Sequence, residues 1–175
     1  QVRPRRAFAK NIHVARGAMM PVTDDAYLVF WAGGQKSALA VEAVREVARC
    51  LPLTPVPGVA PGIAGMVNLR GHVLTALDTA YLLGLRQPAS ATANIIVTCD
   101  GRFYSLLADA MGDMIRLPRE NIHPLDPAAP QWRGAAAKIC RSPQGEVMPI
   151  VDMRIILQGL SASPARVTED EIQPR

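Results

Sequence analysis

Asp78 and Asp152 are the first residues to test for chemistry, because they hold the same place in two copies of one phrase. Gly71-His72-Val73-Leu74-Thr75-Ala76-Leu77-Asp78 recurs 74 residues later as Gly145-Glu146-Val147-Met148-Pro149-Ile150-Val151-Asp152. Two carboxylates from equivalent loops of a duplicated β protein can share one proton and activate water. That arrangement needs a small residue two places after each aspartate. Asp78-Thr79-Ala80 allows it, but Asp152-Met153-Arg154 sets a bulky and a charged side chain there. The spacing instead predicts helix N-caps, with each carboxylate accepting the first free N–H groups ahead of Leu82-Leu83 and Ile155-Ile156-Leu157. Gly84 and Gly159 then fall where C-caps belong.

Other reactive residue types do not assemble into a site. His13, His72 and His123 are scattered, Cys50, Cys99 and Cys140 are far apart, and no Cys-x-x-Cys or His-Glu-x-x-His spacing occurs. No metal and no cofactor is therefore expected. Gly33-Gly34-Gln35-Lys36-Ser37 lacks the Gly-Lys-Ser triplet of a phosphate loop and reads as a hairpin turn. Glu42 and Asp109 read as solvated or turn-capping acids, and Trp31 and Trp132 as core or groove residues. Arg70 is different. It ends an apolar run and precedes Gly71, at the tip of a tight turn, and its guanidinium is a planar fork of donors suited to a carboxylate.

The elements that would hold these residues come from a duplication. Tyr27-Leu28-Val29-Phe30-Trp31 aligns with Asn94-Ile95-Ile96-Val97-Thr98 at a shift of 67 residues, against 74 further along, which implies a net insertion in the second unit, placed at residues 123–130. Each aligned run is β-branched or aromatic and leads through a Gly-bearing turn, Gly33-Gly34 or Asp100-Gly101, into a second apolar run, as in a hairpin. Val41, Val44 and Val47 fit one helical face, but Gly112 in the equivalent segment favours extended chain with a turn. Each unit of about 65 residues thus reads as several short strands closed by a short helix, which fits a small barrel. Two units are too few for a solenoid.

The chain has 175 residues, of which 49% are hydrophobic, enough to bury one core or two small cores in contact. No apolar run approaches the roughly 18 residues of a membrane span, and no signal-peptide block opens the sequence. Three isolated cysteines in apolar settings argue for buried thiols in a reducing compartment, so the cytoplasm is expected. The net charge of +4 is local. Residues 1–22 carry five bases and no acid, residues 161–175 two bases and three acids, and the body between carries twelve of each. A neutral body does not suit phosphate-backbone binding, so no nucleic acid is expected there; only the basic N-terminal extension, residues 1–22, offers an alternative function in binding an anionic surface or nucleic acid. Residues from Ser161 onward read as a mobile tail.

The ordered set of motifs resembles one known family. Val44-Arg45-Glu46-Val47, Pro57 and Pro61, Gly65-Met66-Val67-Asn68-Leu69-Arg70-Gly71, Leu77-Asp78 and Leu83-Gly84-Leu85 are similar to the CheW-like chemotaxis coupling proteins. The second unit resembles that family's second half through Leu107-Ala108-Asp109, Ile115-Arg116-Leu117-Pro118, Ile122 and Met148-Pro149-Ile150-Val151-Asp152. The resemblance covers about residues 25–160. It implies a mainly β fold of two SH3-like five-stranded β-barrel subdomains in tandem with short helices, about 23–90 and about 91–160.

It also implies a non-catalytic adaptor that tethers the regulatory domain of a CheA-type histidine kinase to the cytoplasmic tip of chemoreceptors, in a chemotaxis or surface-motility array. Other CheW-like proteins are further expected partners, and membrane association would come only through partners. The partner-contact residues carried over are Arg70, Glu46, Asn68, Val44 and Val47, with Glu46 and Arg70 as an ion pair and Asn68 fixing the turn. The chain departs from the family pattern at Thr75, where Pro is usual, and at Thr79-Ala80, where Leu-Arg is usual, while the second unit keeps Pro149 and Arg154. The copies also differ at one telling point. Asn68-Leu69-Arg70 before Gly71 has no counterpart before Gly145, which marks the first unit's turn as the receptor-facing one.

Overall fold

A computed structural model describes residues 24–85, 91–126, 130–142 and 144–162. The basic extension 1–22 and most of the tail lie outside the described residues. Twelve strands occur among the described residues, and each unit contributes six in the same order. The first unit runs β1 (Asp24–Ala32), β2 (Gln35–Ala40), a 3₁₀ turn at Val41–Ala43, β3 (Val44–Arg49), β4 (Leu53–Thr54), β5 (Ile63–Leu69), β6 (His72–Leu77) and helix α1 (Thr79–Leu82). The second runs β7 (Ala93–Cys99), β8 (Arg102–Ala108), β9 (Ala110–Pro118), a 3₁₀ turn at Arg119–Asn121, β10 (Ile122–Pro124), a 3₁₀ turn at Pro130–Trp132, β11 (Ala136–Arg141), β12 (Val147–Val151) and helix α2 (Met153–Ala162).

The two sheets are not built from one unit each. One has the order β10-β11-β12-β2-β1-β9, the other β3-β7-β8-β6-β5-β4. Each barrel therefore takes four strands from one unit and the opening hairpin of the other, which is the strand exchange that the sequence leaves open. The hairpins join through parallel seams, Ile150↔Ala38 and Val151↔Leu39 in one barrel and Ala76↔Ser105 and Leu77↔Leu106 in the other. The barrel containing β9–β12 is called barrel A below, and that containing β3–β6 barrel B. The two edge strands of each sheet are consecutive in the chain, β9 and β10 or β3 and β4. One bent segment thus runs from edge to edge and closes the barrel. Counted as one strand, it gives five per barrel.

The physical reason for the exchange is that the hairpins are apolar on both faces. Val29 and Ala38 point into barrel A with Cys140 and Met148, while Leu28, Phe30 and Leu39 point out of it, into a central core with Ile95, Val97, Leu106, Leu77 and Ile156. Ile96 and Leu107 fill barrel B with Val67 and Leu74. A strand buried on both faces reads as a continuous apolar run and belongs at the centre of a structure. Each large side chain buried in this way contributes about 1.5–3 kcal/mol. The central core welds the barrels together.

Local signals in the sequence are met closely. The loops Gly33-Gly34 and Asp100-Gly101 have φ of 58° and 77°, and 48° and 75°, the conformation of a type I′ hairpin turn. The Asp78 carboxylate accepts the Tyr81 N–H at 3.0 Å, and the Asp152 carboxylate accepts the Arg154 N–H at 2.8 Å, so both aspartates cap helices.

Four expectations need correction. Gly159 does not end α2, which continues through it to Ala162 because Leu160 packs against the central core. Ser161 accordingly belongs to the helix and not to the tail. Cys50 is exposed, unlike Cys99 and Cys140, because it follows β3 at the open bend before β4. The insertion is not confined to residues 123–130. Part of it lengthens the loop between β11 and β12, and the largest share lies between β10 and β11, around the turn at Pro130–Trp132.

Candidate partner-binding site

The turn between β5 and β6 contains two residues, Arg70 and Gly71, because Leu69 pairs with His72. Both have left-handed φ, 51° and 88°. Gly adopts that conformation freely, and Asn or Asp tolerates it, but an arginine carries a Cβ penalty. The Asn68 side chain helps to hold the turn, its Oδ1 accepting the Gly71 N–H at 2.8 Å. Arg70 is thereby fixed at the tip with its side chain 75% exposed.

Glu46 comes from β3, on the far side of the sheet. Its carboxylate lies 3.3 Å from the Arg70 guanidinium. The ion pair spans the mouth of barrel B, from the β5–β6 turn to the strand that closes the barrel. One irregularity sets its position: the β3–β7 register shifts between Val44 and Glu46, so that Val44 pairs with Val97 and Glu46 with Ile96. An inserted residue turns successive side chains to new faces.

The structure thus brings Glu46, Asn68 and Arg70 together and gives the two valines different settings. Val44 packs, half-buried, against the central core, whereas Val47 is exposed on β3. Two apolar neighbours of the turn escaped sequence reasoning. Val73, opposite Asn68, is 63% exposed, and Phe103, near the start of β8, is 46% exposed. Neither could be found from alternation, since both stand in short apolar runs whose outer members only the barrel's curvature exposes.

Barrel A has a different mouth. Its β11–β12 connection is longer, and the Ser142 hydroxyl accepts the N–H groups of Gln144 at 3.2 Å and Glu146 at 3.1 Å. Glu146 pairs with Lys36, whose ammonium lies 5.6 Å from the centre of the Trp31 ring. The Asp109 carboxylate accepts the Gly34 N–H at 3.0 Å, as a turn-capping acid should. Among the described residues, no group of three or more His, Cys, Asp or Glu is placed to hold a metal.

A shallow apolar groove of about 510 Å³ lies between α1 and α2, lined in part by Pro61, Tyr81, Leu82, Leu85, Ile156 and Leu160. Glycines allow the close packing at its floor. A Cβ on Gly84, whose φ is 72°, would stand 2.4 Å from the Gln131 carbonyl oxygen. Burial pushes the Cys99 thiol and the Tyr27 hydroxyl up in pKa, and pushes Cys140 up to about 11. These groups are inert core members.

Comparison with known proteins agrees with this architecture. Residues 26–161 match the family model of the CheW-like domain. The chain is 27% identical over 128 residues to a chemotaxis protein CheW of Rhizobium meliloti (strain 1021), covering 72% of this chain and 83% of that one. A probable chemotaxis protein CheW of Rhizobium etli is 33% identical over 104 residues, 58% of this chain and 66% of that one. The crystal structure of the scaffolding protein TtCheW from Thermoanaerobacter tengcongensis superposes with a TM-score of 0.66 at 23% identity, covering 74% of this chain and 89% of the other.

Proposed function

The chain belongs to the CheW-like domain family, whose members are scaffolding adaptors and not enzymes, and on that premise we propose that it couples a CheA-type histidine kinase to chemoreceptors in a bacterial chemosensory array. The observation that carries this reading is the backbone of Arg70. A non-glycine residue other than Asn or Asp in the left-handed region is uncommon, and such residues concentrate at functional sites. The other non-glycine case here, Asp100, is of a type that tolerates the conformation. Arg70 is therefore retained for its guanidinium and not for its fit to the turn.

Glu46 engages one side of that guanidinium and leaves further N–H donors facing solvent for a carboxylate on the receptor tip. Val73 and Phe103 flank the turn with apolar surface, so that a charged contact is framed by contacts that exclude water. The kinase regulatory domain engages a barrel surface, as the family resemblance implies. The protein works in the cytoplasm and reaches the membrane through its partners. No helix among the described residues is long and apolar enough to cross a membrane. Co-purification from native cells tests the proposal: the wild type is expected to recover a histidine kinase and a chemoreceptor, and recovery of neither at ordinary salt refutes it.

A further inference from the structure

We infer that Asn94 is a positioning residue that holds the closing segment of barrel B in place, and so keeps Glu46 opposite Arg70. This inference deepens the adaptor reading and rests on it only for its binding consequence. Asn94 is fully buried in β7, facing the interior that Val67, Leu74, Ile96 and Leu107 fill. Its carboxamide is used at both ends. Oδ1 accepts the Leu51 N–H at 2.8 Å, and Nδ2 donates to the Ser105 hydroxyl at 2.8 Å.

Leu51 lies at the bend between β3 and β4, where the chain leaves one edge of the sheet to form the other. Its side chain is half-buried against the barrel B core. Next to it, the Cys50 N–H donates to the Thr92 carbonyl at 3.0 Å, which ties the same bend to the start of β7. A two-residue β4 supplies little pairing of its own, Leu53↔Val67 and Thr54↔Met66. The side-chain latch therefore adds to the few backbone contacts that fix the bend. If it opens, the Cys50–Thr92 bond and the packing of Leu51 are left to hold the bend beside the β3–β7 pairing, and Glu46 is held less closely to its distance from the β5–β6 turn.

The duplication argues that the latch serves the Arg70 mouth and not barrels in general. At the shift of 67 residues, Asn94 corresponds to Tyr27 and Ser105 to Ala38, and both sit in the apolar interior of barrel A. There the closing segment bends through the 3₁₀ turn at Arg119–Asn121 instead. The polar latch occurs in the barrel that carries the Arg70–Glu46 pair.

Asn94→Leu keeps the branching and number of side-chain heavy atoms and removes both hydrogen bonds, while Ser105→Ala removes one and leaves Leu51 bonded. In the isolated protein, Asn94→Leu is expected to raise Leu51 amide exchange by roughly tenfold relative to the Ile96 amide, and Ser105→Ala to leave that ratio near wild type. Binding to a purified CheA-type regulatory domain and to a receptor-tip fragment should fall roughly tenfold for the probe that contacts Arg70 in Asn94→Leu, and less than twofold in Ser105→Ala. Leu51 exchange that rises only in step with Ile96 overturns the latch, as does equal loss of binding in both variants. If wild type binds neither probe, the adaptor reading fails, and the exchange ratios still decide whether Asn94 holds the bend.

Discussion

Replacing Arg70 with Asn separates what the turn needs from what a partner needs. The ion pair to Glu46 has an N–O distance of 3.3 Å, but the arginine side chain is 75% exposed, so its loss costs about 0.5 kcal/mol. Against this, Asn relieves part of the left-handed penalty at φ of 51°, a gain on the order of 0.5–1 kcal/mol, and Asn-Gly is a favoured pair for this turn. The two terms nearly cancel or favour the variant. At roughly 2–4 °C per kcal/mol for a chain of this size, the melting temperature should stay within about 3 °C of wild type. Binding to a receptor-tip fragment should weaken by roughly 30-fold, equivalent to about 2 kcal/mol, as for a central charged contact. Thermal denaturation and titration calorimetry on the same preparations measure both. A fall of more than about 6 °C would mean that Arg70 braces the fold, and unchanged affinity for receptor and kinase alike would remove it from the interface.

Three further outcomes follow from the packing. Gly84→Ala should destabilise the protein by about 2–4 kcal/mol in urea denaturation, because the new methyl meets the Gln131 carbonyl oxygen at 2.4 Å and the residue must hold φ of 72°; a loss under about 1 kcal/mol would show that the α1 corner yields easily. Cys140, raised from 9.0 to about 11 by burial, favours the folded state fully below pH 9. Above that the unfolded thiol ionises first, so stability falls by up to roughly 2 kcal/mol between pH 9 and 11. Cys140→Val should flatten that part of the profile, and under native conditions near neutral pH a thiol reagent should label Cys50 well before Cys99 or Cys140.

Much of the molecule is legible in the residues themselves. The repeat, the glycine-bearing hairpin turns, both aspartate caps and the Asn68-Leu69-Arg70-Gly71 turn are local features, each set by a few neighbouring side chains and their backbone preferences. Family membership follows from the order of those motifs. The pairing of Glu46 with Arg70 could be expected only through the resemblance, since nothing in their spacing places β3 across a barrel mouth from the β5–β6 turn.

The sequence by itself marked the two opening hairpins, their glycine-bearing turns, the strands after Gly71 and Gly145 and the two helix caps. Only the tertiary structure decided which barrel each hairpin joins. A hairpin apolar on both faces must lie between two cores, but its own residues specify neither core, and the choice rests on long-range pairing such as Val151↔Leu39 and Leu77↔Leu106. The same holds for the valines of β3: both pair with central-core residues of β7, Val97 and Ile95, yet Val44 packs on that core and Val47, further along the edge strand, is exposed. It holds for Asn94 too, whose carboxamide matters because closure of barrel B brings Leu51, 43 residues away, within 2.8 Å.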